Sequence, residues 1–138
     1  MNRTYEITGS RMIAYMPREV DHHQAEELRK KWDMVIEGSH IKELIFDFSK
    51  TEFMDSSGIG VLIGRTRKIG YFGGHAYAMG LNDRVSRLFL AAGLNEMIPV
   101  VTLKIPSEEN GKDSDKEQVE EKMNLTEKEA QHEPEQEF

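Results

Sequence analysis

The chain has 138 residues, 31% charged and 38% hydrophobic, with no cysteine; this is the composition of a soluble single domain with one core, and it excludes disulfides, thiolate metal sites and cysteine nucleophiles. The formal charge of -7 is uneven, because residues 107–138 carry 12 acidic and 4 basic side chains, leaving 13 acidic against 14 basic in residues 1–106. A near-neutral folded part without a basic stripe argues against direct nucleic-acid binding, and the absence of any apolar run near the ~20 residues of a membrane span, or of a signal-peptide run at the N-terminus, makes the cytoplasm the expected location.

Taken in order, Tyr5, Ile7 and then Met12, Ile13 and Tyr15 form two β-prone runs around Gly9-Ser10, which predicts an antiparallel hairpin. Asp21 is a good N-cap, and Ala25, Leu28, Trp32, Val35 and Ile36 make a helical stripe that ends at Gly38. Residues 41–48 read as a strand. Its stretch 44–48 is nearly continuously apolar, which suits a central strand covered on both faces.

After the polar turn Asp55-Ser56-Ser57-Gly58, the period becomes helical over residues 59–69, with Ile59, Leu62, Ile63, Thr66 and Ile69 on one stripe. Gly60 and Gly64 are expected to let this helix approach the sheet closely. Residues 75–79 alternate weakly as a strand, and Asn82 caps a third helix with Val85, Leu88, Phe89 and Ala92 on one face. Gly93-Leu94 reads as its Schellman stop, and residues 97–105 contain a last strand around Pro99. The expected fold class is α/β, in the order β-β-α-β-α-β-α-β, with a mixed central sheet and right-handed crossovers.

From Ser107 onward the apolar residues are Val119, Met123, Leu125, Ala130 and Phe138. So thin a supply does not offset the entropy of ordering the chain, so the expected organisation is one domain over residues 1–106 and an acidic, disordered tail over 107–138.

The turn is where the sequence concentrates its chemistry. Asp55, Ser56 and Ser57 are each able to cap the second helix, and a hydroxyl at that terminus is exposed, next to free amides and the positive end of the dipole. Capping alone accounts for serines at a helix start. Phe53-Met54-Asp55-Ser56-Ser57-Gly58-Ile59-Gly60, with Asp21-His22-His23 upstream, resembles the bacterial anti-sigma factor antagonists, soluble members of the STAS domain family, over residues 3–105.

The resemblance implies a single STAS-like domain whose first serine after the aspartate, Ser56 and not Ser57, is phosphorylated by a partner that is both serine kinase and anti-sigma factor. It implies that the unphosphorylated form binds this partner, with the kinase's nucleotide at the interface, and frees a sigma factor, and that a serine phosphatase resets Ser56. It also places Asp21-His22-His23 beside Ser56, and the expected contact residues are Asp21, His22, Asp55, Ser57 and Gly58, the glycine letting the backbone turn without an obstructing side chain. The loop Leu81-Asn82-Asp83-Arg84 is expected to face the same strand ends, adding Asn82 and Arg84, although the Ser-Pro pair often found near that loop in the family is missing. Family members commonly finish with a helix packed on the sheet, and the acidic tail departs from that pattern.

Other chemistries have less to stand on. Gly58-x-Gly60 with Gly64 lacks both the Gly-Lys-Ser/Thr ending of a P-loop and the dinucleotide spacing, and no cofactor is expected. The five histidines show no zinc-hydrolase spacing, and no metal is expected either. A serine hydrolase would need Ser56 as nucleophile, His22 or His23 as base and Asp21 or Asp55 to orient it, but the turn does not match Gly-x-Ser-x-Gly. A scaffold module that binds independently of phosphorylation is the remaining alternative, so no catalysis by the chain itself is expected.

Overall fold

The computed structural model describes residues 3–102. Gly9, in the left-handed region at φ 62°, turns the chain between β1 (Tyr5–Thr8) and β2 (Arg11–Tyr15), which pair antiparallel as expected. A two-residue strand β3 (Glu19–Val20) follows, then α1 (His22–Gly38), β4 (Glu43–Asp47), a second two-residue strand β5 (Phe53–Met54), α2 (Ser56–Tyr71), β6 (His75–Met79) and α3 (Asp83–Ala91). The main sheet has the order β1-β2-β4-β6, with β2, β4 and β6 parallel.

Alternation along β4 divides the core in two. Leu44 and Phe46 lie in the larger cluster with Trp32, Leu62 and Ile69 from the helices, whereas Ile45 packs with Tyr77, Met79 and Val101 in a smaller one. A strand apolar on both faces is therefore used on both faces. Trp32 meets Phe46 with ring centroids 6.1 Å apart, and its indole nitrogen donates to the Thr4 carbonyl at 3.2 Å. Phe48, just past β4, stands edge-on to Phe89 of α3, also at 6.1 Å.

Several expectations need correction. The ladder of β4 covers Glu43–Asp47 and not all of residues 41–48; Ile41 and Phe48 are buried flanks of the strand. Helix α2 begins at Ser56, and its buried face is Gly58, Val61, Leu62, Arg65 and Ile69, rotated from the expected stripe so that Ile59 and Ile63 pack at the margin. A Cβ on Gly60 or Gly64 would meet nothing within 4 Å, so neither glycine serves close approach to the sheet. Within the described part of residues 97–105, the expected last strand is reduced to one parallel bridge between Val100 and Ala78, after a 3-10 turn at Leu94–Glu96. Residues 103–105 and the expected tail over 107–138 lie outside the described residues.

The middle of the α1–α2 contact is ionic. Arg65, on the buried face of α2, places its Nε 2.7 Å from Asp33 Oδ1 of α1, with the two side chains 9% and 20% exposed. The alignment falls short of a hydrogen bond, and Arg65 Nη1 has no hydrogen-bond partner among the described residues. Burial pulls the guanidinium pKa below its usual value, against the pull of Asp33, yet arginine stays ionised. Closer to solvent, Lys68 meets Glu37 at 2.6 Å.

Candidate functional site

The site is built by the second, smaller sheet. Strands β3 and β5 pair in parallel, Glu19 opposite Phe53 and Val20 opposite Met54, and each is followed directly by an aspartate that caps a helix. Asp21 Oδ1 accepts from the Gln24 amide at 2.9 Å, and Asp55 Oδ1 accepts from the Ser57 amide at 2.8 Å. The Asp55 amide donates to the Val20 carbonyl at 3.3 Å, so the two helix starts are tied side by side. Their dipoles present two partial positive charges, framed by two carboxylates, to the same patch of solvent.

Of the three capping candidates in the turn, Asp55 is the cap and Ser56 the first helical residue. Ser56 is exposed, while Ser57 is half-buried. His22 Nδ1 lies 3.4 Å from the Ser57 hydroxyl, so the first histidine of the pair faces the turn. His23 turns along α1 to Glu27, 3.4 Å away.

From the sequence, Gly58 is expected to let the backbone turn without a side chain in the way of an approaching partner; in the structure Gly58 has a different role. It is buried, and a Cβ there would run into Met54 and crowd Val20 Cγ1 at 3.1 Å, so its role is to let α2 settle on the small sheet. Asn82 caps α3 by accepting from the Val85 amide at 2.8 Å, and its side-chain nitrogen donates to the Thr51 carbonyl at 3.0 Å. It ties the third helix to the segment leading into β5. Gly80 makes this possible: it takes φ 77°, and a Cβ would come within 2.7 Å of Ser49 Oγ. Arg84 is exposed on the first turn of α3.

Two residues near the turn are absent from the expected site. Thr51 is 1% exposed, and its hydroxyl donates to the Pro17 carbonyl at 2.9 Å, locking together the segments that lead into β3 and β5. Phe53 points outward, 49% exposed, three residues before Ser56. In β5 Phe53 faces out and Met54 in, but two residues are too few for the sequence to announce which is which.

The chain thus presents a sheet opened by an antiparallel hairpin and continued in parallel, with an exposed serine at a helix start beside a second capped helix. The chain belongs to the STAS domain family, whose sequence pattern matches residues 2–107. It is 31% identical over 102 residues to the anti-sigma F factor antagonist of Paenibacillus polymyxa, covering 72% of this chain and 87% of that one. It is 28% identical over 89 residues to the anti-sigma-B factor antagonist of Listeria monocytogenes, covering 62% and 75%. Among solved structures, the anti-sigma factor antagonist SpoIIAA in its unphosphorylated form superposes with a TM-score of 0.64 at 27% identity, over 77% of this chain and 89% of that one. SpoIIAA of Bacillus in its phosphorylated form gives 0.59 at 26% identity, over 77% and 92%. Among the described residues, no helix is long and apolar enough to cross a membrane.

Proposed function

We propose that this protein is an anti-sigma factor antagonist that works as a phosphorylation switch in the cytoplasm. Unphosphorylated, it binds an anti-sigma factor that is also a serine kinase, with the kinase's nucleotide at the interface, and so frees a sigma factor. Transfer of phosphate to Ser56 ends the binding, and a serine phosphatase restores it. The domain itself catalyses nothing and touches no nucleic acid; Ser56 is a substrate. The observation that carries this reading is the exposed Ser56 side chain on the first turn of α2, immediately after the Asp55 cap.

A phosphate there adds about -1.5 to -2 charges at pH 7. The helix terminus returns up to ~2 kcal/mol, and repulsion from Asp55 and Asp21 opposes it on a similar scale through screening solvent. The domain therefore keeps its fold, and the effect falls on the interface, where an unpaired, desolvated phosphate costs several kcal/mol.

The test is a nucleotide-dependent pull-down of variants with the cognate kinase. Ser56→Ala is expected to bind and to escape phosphorylation; Ser56→Asp is expected to bind poorly while its melting temperature stays within about 4 °C of the wild type, the shift equivalent to ~1 kcal/mol; Ser57→Ala is expected to remain a substrate. Equal binding by all three, with no phosphorylation of the wild type, would sink the switch and leave a scaffold.

A further inference from the structure

Two serines side by side at the head of a helix are chemically equal until their surroundings separate them. We infer that His22 is a specificity residue for phosphoryl transfer: by engaging the Ser57 hydroxyl it leaves Ser56 the free acceptor in the turn. The inference rests on the reading of Ser56 given above.

Three observations distinguish the pair. The His22 imidazole stands 3.4 Å from Ser57 Oγ. The Ser57 amide is bound to Asp55 Oδ1 at 2.8 Å, which fixes the backbone on which that hydroxyl swings. Ser57 is half-buried, whereas Ser56 is exposed. Successive helical residues point about 100° apart, so with Ser57 turned toward α1 the Ser56 side chain projects elsewhere. The position of His22 is itself determined: it is the first residue of α1, one step beyond a cap whose strand pairs with the strand before Asp55.

The chemistry makes this contact matter. Transfer forms a bond from serine Oγ to the γ-phosphorus of a nucleoside triphosphate held by the kinase. It breaks the bond to the bridging oxygen so that the diphosphate leaves, and passes the serine proton to a base on the kinase. The attacking oxygen has to lie in line with the departing group. Ser57 must give up its imidazole contact and rotate out of its half-buried place before it can do so; Ser56 is exposed and its hydroxyl has no hydrogen bond to lose among the described residues.

The experiment incubates the full chain with its cognate serine kinase and a nucleoside triphosphate, and maps the phosphopeptides. The wild type is expected to carry label at Ser56, and Ser56→Ala to fall below about a tenth of that level. Ser56→Ala/His22→Ala is expected to gain label at Ser57, at least tenfold over Ser56→Ala. Ser56→Ala/His22→Asn, whose carboxamide can still accept from Ser57, is expected to return toward the silent level. A labelled wild type with a silent Ala double variant that the kinase still retains overturns the inference alone. A wild type labelled at neither serine overturns the Ser56 reading and this inference with it. The contact has its own check without the kinase: Ser57→Ala should move the His22 ring resonances in the NMR spectrum more than Ser56→Ala does, and equal responses overturn it.

Discussion

Helices α1 and α2 are joined at two places in two different ways. At their starts they are tied by two capping aspartates, a two-residue parallel sheet and a long histidine-to-serine contact, with the polar groups facing solvent. Further along they are joined by Leu28, Trp32 and Leu62 over the sheet and by the Asp33–Arg65 pair between them. Burial makes the second junction the source of stability. The first is inexpensive to alter thermodynamically and rich in groups that a partner can read, so substitutions there are expected to change binding far more than folding.

Stability measurements on the two junctions put this contrast at risk. Phe46→Ala removes a fully buried ring under Trp32, and Phe48→Ala removes another against Phe89. Each is expected to cost ~3–5 kcal/mol in denaturant unfolding, a large share of a marginal total; a loss below about 1 kcal/mol at both would refute the buried strand on which that junction rests.

Next in size is the ion pair. Asp33→Ala leaves Arg65 buried without its counter-charge and is expected to cost ~2–3 kcal/mol, below the ~3–5 of a fully enclosed pair because the Asp33 side chain is 20% exposed. Replacing both by Leu and Met is expected to recover most of that loss. A double variant as unstable as Asp33→Ala would show that the charges do more than satisfy each other.

At the other junction, Asp55→Ala and Asp21→Ala each lose one capping bond and are expected to cost ~1 kcal/mol, while on the proposed function Asp55→Ala is expected to weaken retention by the anti-sigma kinase at least tenfold. Equal and small effects on folding and binding would erase the contrast.

The smallest effect is a control from outside both junctions. Tyr15 donates to Glu6 at 2.6 Å, and that bond to a carboxylate raises the phenol pKa from 10.0 to about 12. The folded state thus holds the phenolic proton longer than the unfolded chain does. The resulting stability is fully present below pH 10 and is lost as pH rises through about 12. The Tyr15 bond also lowers the Glu6 pKa from 4.5, so this carboxylate contributes above that pH and stops contributing as pH falls through its folded value. Tyr15→Phe should flatten the alkaline decline of the melting temperature slightly, and a Tyr15→Phe profile that still overlays the wild type from pH 10 to 12 would remove the assignment.

Legibility follows length and hydropathy. The α1 stripe is readable because Ala25, Leu28, Trp32 and Ile36 repeat over a long helix, and all four are buried. The face of α2 is misleading because Gly58 and Arg65, two residues that hydropathy assigns to the surface, are buried. Strands of two residues carry too little alternation to register, so β3 and β5 leave no trace in the pattern. In the site, the caps Asp21 and Asn82 are legible from local spacing, and the Asp-Ser-Ser-Gly turn from its resemblance. That His22 rather than His23 reaches the turn, and that it reaches Ser57, depends on a parallel pairing between segments more than 30 residues apart. No local pattern announces such a pairing.

The small sheet also governs how the protein breathes. It is separate from the four-stranded sheet, and its ladder is only two residues deep, so opening it sacrifices few hydrogen bonds and, of its own four residues, uncovers only Val20 and Met54. Local opening of that kind needs much less free energy than global unfolding. Amide hydrogens such as that of Asp55 should therefore exchange with solvent well before that of Phe46, and the neighbourhood of Ser56 can loosen and re-form while the main sheet stays intact. On the proposed function, a kinase bringing Ser56 into line with a phosphate would meet a local segment that yields, mounted on a frame that does not.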